Sequence, residues 1–163
     1  MKVEKRANII KNWIDSYCKN TSLNPKTLVV GISGGIDSSV VSTLCALTGR
    51  KTIVLSMPIN QIKSQHDLSV KHGEWLISKY KNVEHKLIEL EKVFSSFENL
   101  LSEFNSEHGF ANSRARLRMT TLYQVAATNL GIFRCRFLYK VWRWWSRYFS
   151  YCRLHQNSSL GAR

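Results

Sequence analysis

The chain has 163 residues, a net charge of +13 and four cysteines that are far apart in the sequence. This length suits one domain with a buried core, and the cysteine spacing excludes the common zinc motifs. No apolar run approaches the roughly 20 residues that a membrane-spanning helix needs, and the charged N-terminal segment contains no secretory signal, so we expect a cytoplasmic protein with no membrane partner.

Helices and strands alternate along the first 130 residues. Apolar residues at helical spacing predict a first helix over Val3–Tyr17, and Asn24-Pro25 ends it. The β-branched run Thr27–Ser33 predicts a buried strand. A second helix is expected from Ile36 to Gly49, because glycine is a natural C-cap.

The pattern then repeats. The further predicted elements are a strand at 51–57, a helix at 61–80, a strand at Glu84–Leu90, a helix at Val93–Phe104 and a last helix at 112–130. We expect the stretch 105–112, "NSEHGFAN", to be the longest loop. Alternating strands and helices predict an α/β fold, a doubly wound parallel sheet with helices on both faces.

One loop, "GISGGIDSS" at Gly31–Ser39, has the composition of an anion site. It follows the first strand and opens a helix, so it lies where open α/β sheets bind ligands. Gly34 and Gly35 lack a Cβ and can take positive φ, which lets backbone amides approach an anion closely. Serine hydroxyls and the helix N-terminus add donors. The loop therefore predicts a site for phosphate or pyrophosphate.

Asp37 is unexpected in such a loop, because a carboxylate repels phosphate. Its presence is explained if Mg²⁺ lies between the two. The loop contains neither the Gly-Lys-Ser/Thr of a Walker A motif nor the dinucleotide pattern G-x-G-x-x-G. The alternative is a glycine-rich turn in which Asp37 is simply a favourable acid in the first turn of a helix.

The motif S-G-G-I-D-S at Ser33–Ser38 resembles the pyrophosphatase loop of N-type ATP pyrophosphatases. These proteins have a Rossmann-like, adenine nucleotide alpha hydrolase-like fold and cleave ATP between its α and β phosphates. Within that group, "NSRARLRMTTLY" at Asn112–Tyr123 and "MPINQIKSQ" at Met57–Gln65 resemble the ammonia-dependent NAD synthetases. The resemblance covers about residues 1–130. It implies amidation of deamido-NAD by ammonia through an acyl-adenylate, which yields NAD, AMP and pyrophosphate.

The resemblance also implies site residues and partners. Arg116 falls on an arginine that contacts deamido-NAD, and Asp37 on a Mg²⁺ ligand. Arg114 and Arg118 either join Arg116 or form a solvated basic face. Homodimers are expected, and no glutaminase-like domain is expected before the loop. The residues implied to bind ATP are Gly31, Ile32, Ser33, Gly34, Gly35, Ile36, Asp37 and Ser38.

Residues 131–163 depart from the family's pattern. The family's GTGNK-x-E segment, with an ATP threonine and a second Mg²⁺ ligand, is absent. Tryptophan has one codon, TGG, and every tryptophan read one base later becomes glycine. If suitable synonymous codons are assumed for the other residues, the nucleotides of residues 137–162, read one base later, encode the family's next segments. We therefore expect a partial synthetase domain at 1–130, incomplete at its C-terminal end, and an out-of-frame tail at 131–163. Such a chain would bind ATP weakly at most, fold poorly and make no NAD.

Two alternatives stay open. The chain could be another ATP pyrophosphatase that acts on tRNA, although the R-x-R-x-R-M string argues against it. It could also be a nucleic-acid-binding module, because residues 134–163 combine aromatic and basic side chains with no acid. The poor helical amphipathicity of that stretch makes nucleic-acid binding the weaker expectation.

Overall fold

A computed structural model of the chain describes residues 3–21, 25–60, 63–129 and 131–132, the last two by their backbone alone. Of the predicted tail at 131–163, only 131–132 are described, and the rest of it, with the reading-frame hypothesis attached to it, lies outside the described residues. None of the described helices combines the length and hydropathy needed to cross a bilayer.

The order of elements in the described residues agrees with the prediction of one helix, three strand–helix units and a final helix. The elements are α1 (Val3–Lys19), β1 (Thr27–Ile32), α2 (Ile36–Leu47), β2 (Lys51–Ser56), α3 (Lys63–Lys79), β3 (Val83–Leu87), α4 (Glu91–Leu100), α5 (Glu107–Thr128) and β4 (Gly131–Ile132). A short 3-10 turn, Ser102–Phe104, connects α4 to α5.

The strands form one parallel sheet in the order β3-β2-β1-β4. β1 pairs with β2 from Thr27↔Lys51 to Ile32↔Ser56, and β4 continues the sheet on the other side of β1. Helices cover both faces, so the predicted doubly wound α/β fold is confirmed. Because all strands run the same way, their carboxyl ends meet at one edge, and the loop after β1 lies there.

The core between the sheet and its neighbouring helices explains why the strand sequences are so apolar. Ile32, Val54 and Val83 come from three adjacent strands and form a buried cluster with Ala46 of α2 and Leu76 of α3. Strands buried on both faces are typically continuous β-branched and apolar runs rather than alternating ones. The run in β1 and β2 is therefore the part of the sequence that determines the sheet.

An ion pair fixes α1 to the turn between α2 and β2. Arg50 Nε donates to Asp15 Oδ1 at 2.9 Å, and Arg50 Nη1 donates to the carbonyl of Pro25 at 3.0 Å. Lys19 Nζ lies 2.7 Å from the second oxygen of Asp15. Hydrogen bonds from Lys19 and then from Arg50 hold the pKa of Asp15 below its usual value. The first helix is thus attached by a specific polar contact as well as by burial.

The prediction of a long loop at 105–112 is wrong, because α5 already begins at Glu107. Ser106 is its N-cap, and Ser106 Oγ accepts a hydrogen bond from the amide of Gly109 at 3.3 Å. Phe110 then packs edge-to-face on Phe94 of α4, with ring centroids 6.2 Å apart. Asparagine, serine and glycine suggest a loop by composition, but a cap and one long-range aromatic contact make the segment helical.

Gly73, in the middle of α3, permits the close approach of His85 from β3. A Cβ at this position would lie 2.6 Å from His85 Cγ and Nδ1, whereas a Cβ at Gly109 would lie 3.4 Å from its nearest neighbour, in Ser106. We expect Gly73→Ala to lower the free energy of unfolding by about 1–3 kcal/mol through overpacking. Gly109→Ala should leave it unchanged or raise it by up to about 1 kcal/mol, the helix-propensity gain of alanine. Urea denaturation followed by circular dichroism measures both, and equal stability of the two variants would contradict this account.

Candidate functional site

The loop Gly31–Ser38 joins β1 to α2 at the carboxyl edge of the sheet. Gly34 has φ +80°, in the left-handed region that favours glycine. Gly35 instead has φ −84° and ψ 156° and is the N-cap of α2. Of the two glycines that can take positive φ, only Gly34 does so.

Gly34 also lies directly against the backbone of α3. A Cβ on Gly34 would be 2.5 Å from the carbonyl oxygen of Gln65 and 3.2 Å from the amide nitrogen of Ser69. The contact joins residues some thirty positions apart, so nothing in the loop sequence predicts it. Glycine is needed here because of a neighbouring helix and not only because of a bound anion.

The serine hydroxyls of the loop hydrogen-bond to one another and to the loop backbone. Ser38 Oγ and Ser39 Oγ each donate to the carbonyl of Gly35 at 3.0 Å. The amide of Ser33 donates to Ser38 Oγ at 3.1 Å, and the oxygens of Ser33 and Ser38 are 3.2 Å apart. Since the proton of Ser38 is directed to Gly35, Ser33 is the hydroxyl whose proton can turn toward a ligand. The hydroxyls of Ser38 and Ser39 thus donate within the loop.

The N-terminus of α2 is open to an anion. No side chain caps it, and Ser33, Gly35, Ile36 and Asp37 are exposed. The first-turn amides of a helix have no intrahelical acceptor, and the helix dipole places partial positive charge there. Exposed, uncapped amides beside an available hydroxyl form a site that fits phosphate oxygens.

Asp37 contributes the carboxylate of this site. It is exposed and forms no ion pair with any of the described residues. The described ranges also contain no group of three or more histidine, cysteine, aspartate or glutamate side chains that could enclose a metal ion. One free carboxylate next to a phosphate site fits Mg²⁺, which is commonly held by one or two carboxylates together with substrate phosphates and water.

The three arginines of α5 differ in their surroundings. Arg118 Nε donates to the carbonyl of Met57 at 3.0 Å, and burial followed by the charge of Arg114 lowers the pKa of its guanidinium. Arg114 lies 3.7 Å from Glu98 and over the ring of Phe94. The interpretation of these two as a solvated basic face is therefore wrong, because both connect α5 to its neighbours.

Arg116 is exposed and has no partner among the described side chains. Its helix reaches the loop nearby, because a Cβ on Gly31 would lie 3.5 Å from Leu122 of α5. Arg116 precedes Leu122 by six residues, or about 9 Å along the helix axis, and Arg118 is bonded to the residue after β2. Arg116 therefore lies on the part of α5 that precedes its contact with the loop, and its guanidinium is exposed.

Comparison with known proteins identifies the relatives of this chain. The family model described as NAD synthase matches residues 6–132. An NH(3)-dependent NAD(+) synthetase of Mesoplasma florum is 39% identical over 130 residues, which cover 74% of this chain and 51% of that protein. One from Hyperthermus butylicus is 32% identical over 122 residues, with 74% and 42% covered. The chain spans about half the length of these relatives.

Solved structures give the same fold. The NMN synthetase of Francisella tularensis superposes with a TM-score of 0.71 at 28% identity, covering 81% of this chain and 53% of that one. The NH3-dependent NAD synthetase of Campylobacter jejuni superposes with a TM-score of 0.69, also at 28% identity, covering 80% and 55%.

The contact between Gly34 and α3 yields a paired test. Gly34→Ala places a side chain at positive φ, which costs about 1–2 kcal/mol, and forces it against Gln65. Gly35→Ala has ordinary φ and its Cβ would be 3.5 Å from Ser33 Oγ, so we expect a loss under about 1 kcal/mol. Thermal and urea denaturation of both variants measure the difference. If Gly34→Ala is as stable as Gly35→Ala, the contact with α3 does not constrain the loop.

Proposed function

The chain belongs to the NAD synthase family, and we propose that its Gly31–Ser38 loop binds the phosphates of ATP within an ammonia-dependent NAD synthetase. The open N-terminus of α2, at the carboxyl edge of a parallel sheet, is the observation that carries the proposal. Since the chain covers about half of its relatives, the complete reaction is proposed for the whole protein and ATP binding for the described part.

The proposed reaction has two steps. A carboxylate oxygen of the nicotinate ring attacks the α-phosphorus of ATP, the bond to the β-phosphate oxygen breaks, and pyrophosphate leaves. Ammonia then attacks the acyl carbon, AMP departs with the carboxylate oxygen, and ammonia loses one proton as the amide of NAD forms. Charge accumulates on pyrophosphate in the first step, so a preorganised anion site is what this chemistry requires.

The residues of the loop would meet that requirement in three ways. The first-turn amides of α2 would bind the terminal phosphates, and Ser33 would turn its proton from Ser38 to a phosphate oxygen. Asp37 would hold Mg²⁺ against those phosphates, and the bound ion would neutralise their charge. The amide of Gly35 donates to Ser33 Oγ over a long 3.4 Å contact, so this bond is easily exchanged for one to a ligand.

Arg116 would bind the second substrate. Its guanidinium is exposed, and arginine keeps its charge and forms paired hydrogen bonds to carboxylate or phosphate. Deamido-NAD offers both groups. The fixed contacts of Arg114 and Arg118 would hold the helix in place while Arg116 engages the substrate.

A related substrate deserves a parallel test because one similar structure is that of an NMN synthetase. Amidation of the nicotinate mononucleotide uses the same carboxylate and the same adenylation. Both sequence relatives described above are NAD(+) synthetases, and we therefore propose the dinucleotide as substrate. The homodimer expected from the resemblance stays a prediction.

Magnesium-dependent ATP binding is the first test. We expect isothermal titration to show binding of ATP in the presence of Mg²⁺, and Asp37→Asn to weaken it about tenfold or more, the effect of losing one contact to a charged group. The ATP affinity of this variant should be the same in the presence of Mg²⁺ as in the presence of a chelator. Glu103→Gln, an exposed acid in the turn before α5, is the matched control and should behave as wild type. ATP binding that is indifferent to Mg²⁺ in the wild type would refute the role given to Asp37.

Substrate binding at Arg116 is the second test. Arg116→Ala should weaken binding of deamido-NAD about 10- to 100-fold and leave ATP affinity within about twofold. Lys81→Ala removes an exposed charge at the opposite, amino end of β3 and should change neither. Titration with nicotinate mononucleotide, beside deamido-NAD, decides between the substrates, because tighter binding of the mononucleotide would overturn the proposed dinucleotide.

A further inference from the structure

A line of hydrogen bonds crosses the structure beneath the phosphate loop and involves none of the residues assigned above. His85 Nε2 of β3 lies 2.8 Å from Ser56 Oγ, at the carboxyl end of β2. Ser69 Oγ of α3 lies 3.2 Å from Ser56 Oγ and 2.8 Å from the carbonyl oxygen of His66. Ser56 and Ser69 are 0% and 2% exposed. A buried polar line of this kind costs free energy unless each member is paired.

The proton positions along the line follow from what each group can do. Ser69 Oγ is the donor to both Ser56 Oγ and the carbonyl of His66, so its one proton is shared between two acceptors. Because Ser56 accepts from Ser69, its own proton is free to go to Nε2 of His85, which then has to lack a proton. In this arrangement every donor is used. If Nε2 gains a proton it becomes a donor, and Ser56 can no longer donate to it.

The ring of His85 has little room to move. Its Cγ, Nδ1 and Cε1 atoms are all within 2.7 Å of the position that a Cβ on Gly73 would occupy. The ring is therefore pressed against the backbone of α3 while Nε2 reaches Ser56. His85 is therefore in contact with α3 directly and is also linked to it by hydrogen bonds through Ser56 and Ser69.

The last residue of this hydrogen-bonded series, Ser69, lies in the turn of α3 that packs against the loop. The amide nitrogen of Ser69 and the carbonyl oxygen of Gln65 are the two backbone atoms that face Gly34 most closely. The hydroxyl of Ser69 bonds within the same turn, to His66. The turn of α3 that contains Ser69 is thus hydrogen-bonded to Ser56 and also packs against Gly34.

We propose that His85 is a positioning residue for the phosphate loop, acting through Ser56 and Ser69 on the turn of α3 that holds Gly34. The inference rests on the proposed function for the identity of the ligand, ATP, but the coupling between His85 and Gly34 does not need it. No contact between His85 and the ligand is involved.

The direction of a pH effect follows from the burial of the ring. Burial lowers the pKa of His85 below its usual 6.5, and the charge of Glu74 on α3 opposes that shift. His72, also on α3, is the other titratable group that interacts with it, and burial lowers its pKa too; β2 contributes the hydroxyl of Ser56, which does not titrate. The ordered line is therefore intact above about pH 6.5 and is lost as the pH falls through the lower pKa of the folded protein.

A ligand-free experiment tests the coupling. Nuclear magnetic resonance of the full isotope-labelled chain, from pH 8 to pH 5, follows the amide of Gly34 and the ring of His85 together. We expect the Gly34 amide shift to titrate with the midpoint of His85. In His85→Gln, whose side-chain carbonyl can still accept from Ser56 but does not titrate, the Gly34 shift should stay flat. A flat Gly34 in the wild type, or the same titration in His85→Gln, overturns the proposal.

ATP affinity tests the consequence for the ligand. Between pH 8 and pH 5.5 the affinity of the wild type for Mg-ATP should fall about three- to tenfold more than the affinity of His85→Gln, which is the effect of one hydrogen bond. The His85→Gln variant serves as the reference because it shows the loss that comes from titration of ATP itself. Ser69→Ala should bind weakly at both pH values. Ser78→Ala is its matched control, since Ser78 makes the same 2.8 Å bond to a carbonyl three residues earlier on α3.

The two proposals fail in different ways. If no variant binds ATP at any pH, the proposed function is wrong, and the Gly34 titration still decides the coupling. If ATP binds but His85→Gln has the same pH dependence as the wild type, the role of His85 is wrong and the proposed function stands.

Discussion

The contact between Gly34 and the backbone of α3 is the constraint on which the site depends. The loop turns through positive φ at this residue and passes so close to Gln65 that a methyl group would not fit. Where Gly34 is held determines where Gly35 ends the turn and α2 begins, and hence where the first amides of α2 point. The geometry of the proposed anion site is thus fixed by the packing of α3 as well as by the loop's own residues.

Under the proposed function, dipoles rather than cationic side chains supply the attraction for phosphate at this loop. The loop Gly31–Ser38 contains no lysine or arginine, and its one charged residue is the acid Asp37. Helix amides and a hydroxyl give donors in fixed directions without adding full charge, so their attraction for free anions is modest. The proposed role of the Asp37 carboxylate would then favour phosphates that arrive with a divalent cation over those that do not. Under the proposed function this balance suits a group that must bind ATP and later release pyrophosphate.

How much the sequence predicts depends on the distance over which a contact acts. The fold follows from local patterns, because the apolar runs of β1 and β2 and the glycine-rich turn from β1 into α2 are short-range signals. The helical start of α5 does not follow from composition, since it depends on the Ser106 cap together with the contact of Phe110 with Phe94. Two contacts could not be predicted for the same reason. They are the packing of Gly34 against α3 and the hydrogen bond from Arg118 to Met57, which joins residues 61 positions apart. The composition of a segment indicates which residues suit a turn or a helix face, but it does not indicate which distant residue will pack there.

The spacing of the arginines of α5 predicts that they lie on two different faces of the helix. Successive residues of a helix are rotated by about 100°, so Arg114 and Arg118 differ by roughly 40° and share a face, whereas Arg116 points to roughly the opposite side. The pattern R-x-R-x-R on a helix therefore separates one arginine from the other two. In the structure the pair bonds to Glu98 and Met57, and the middle residue is exposed. A helix held by two arginines that contact neighbouring elements presents the third on its opposite, exposed face, and under the proposed function that face would meet the substrate.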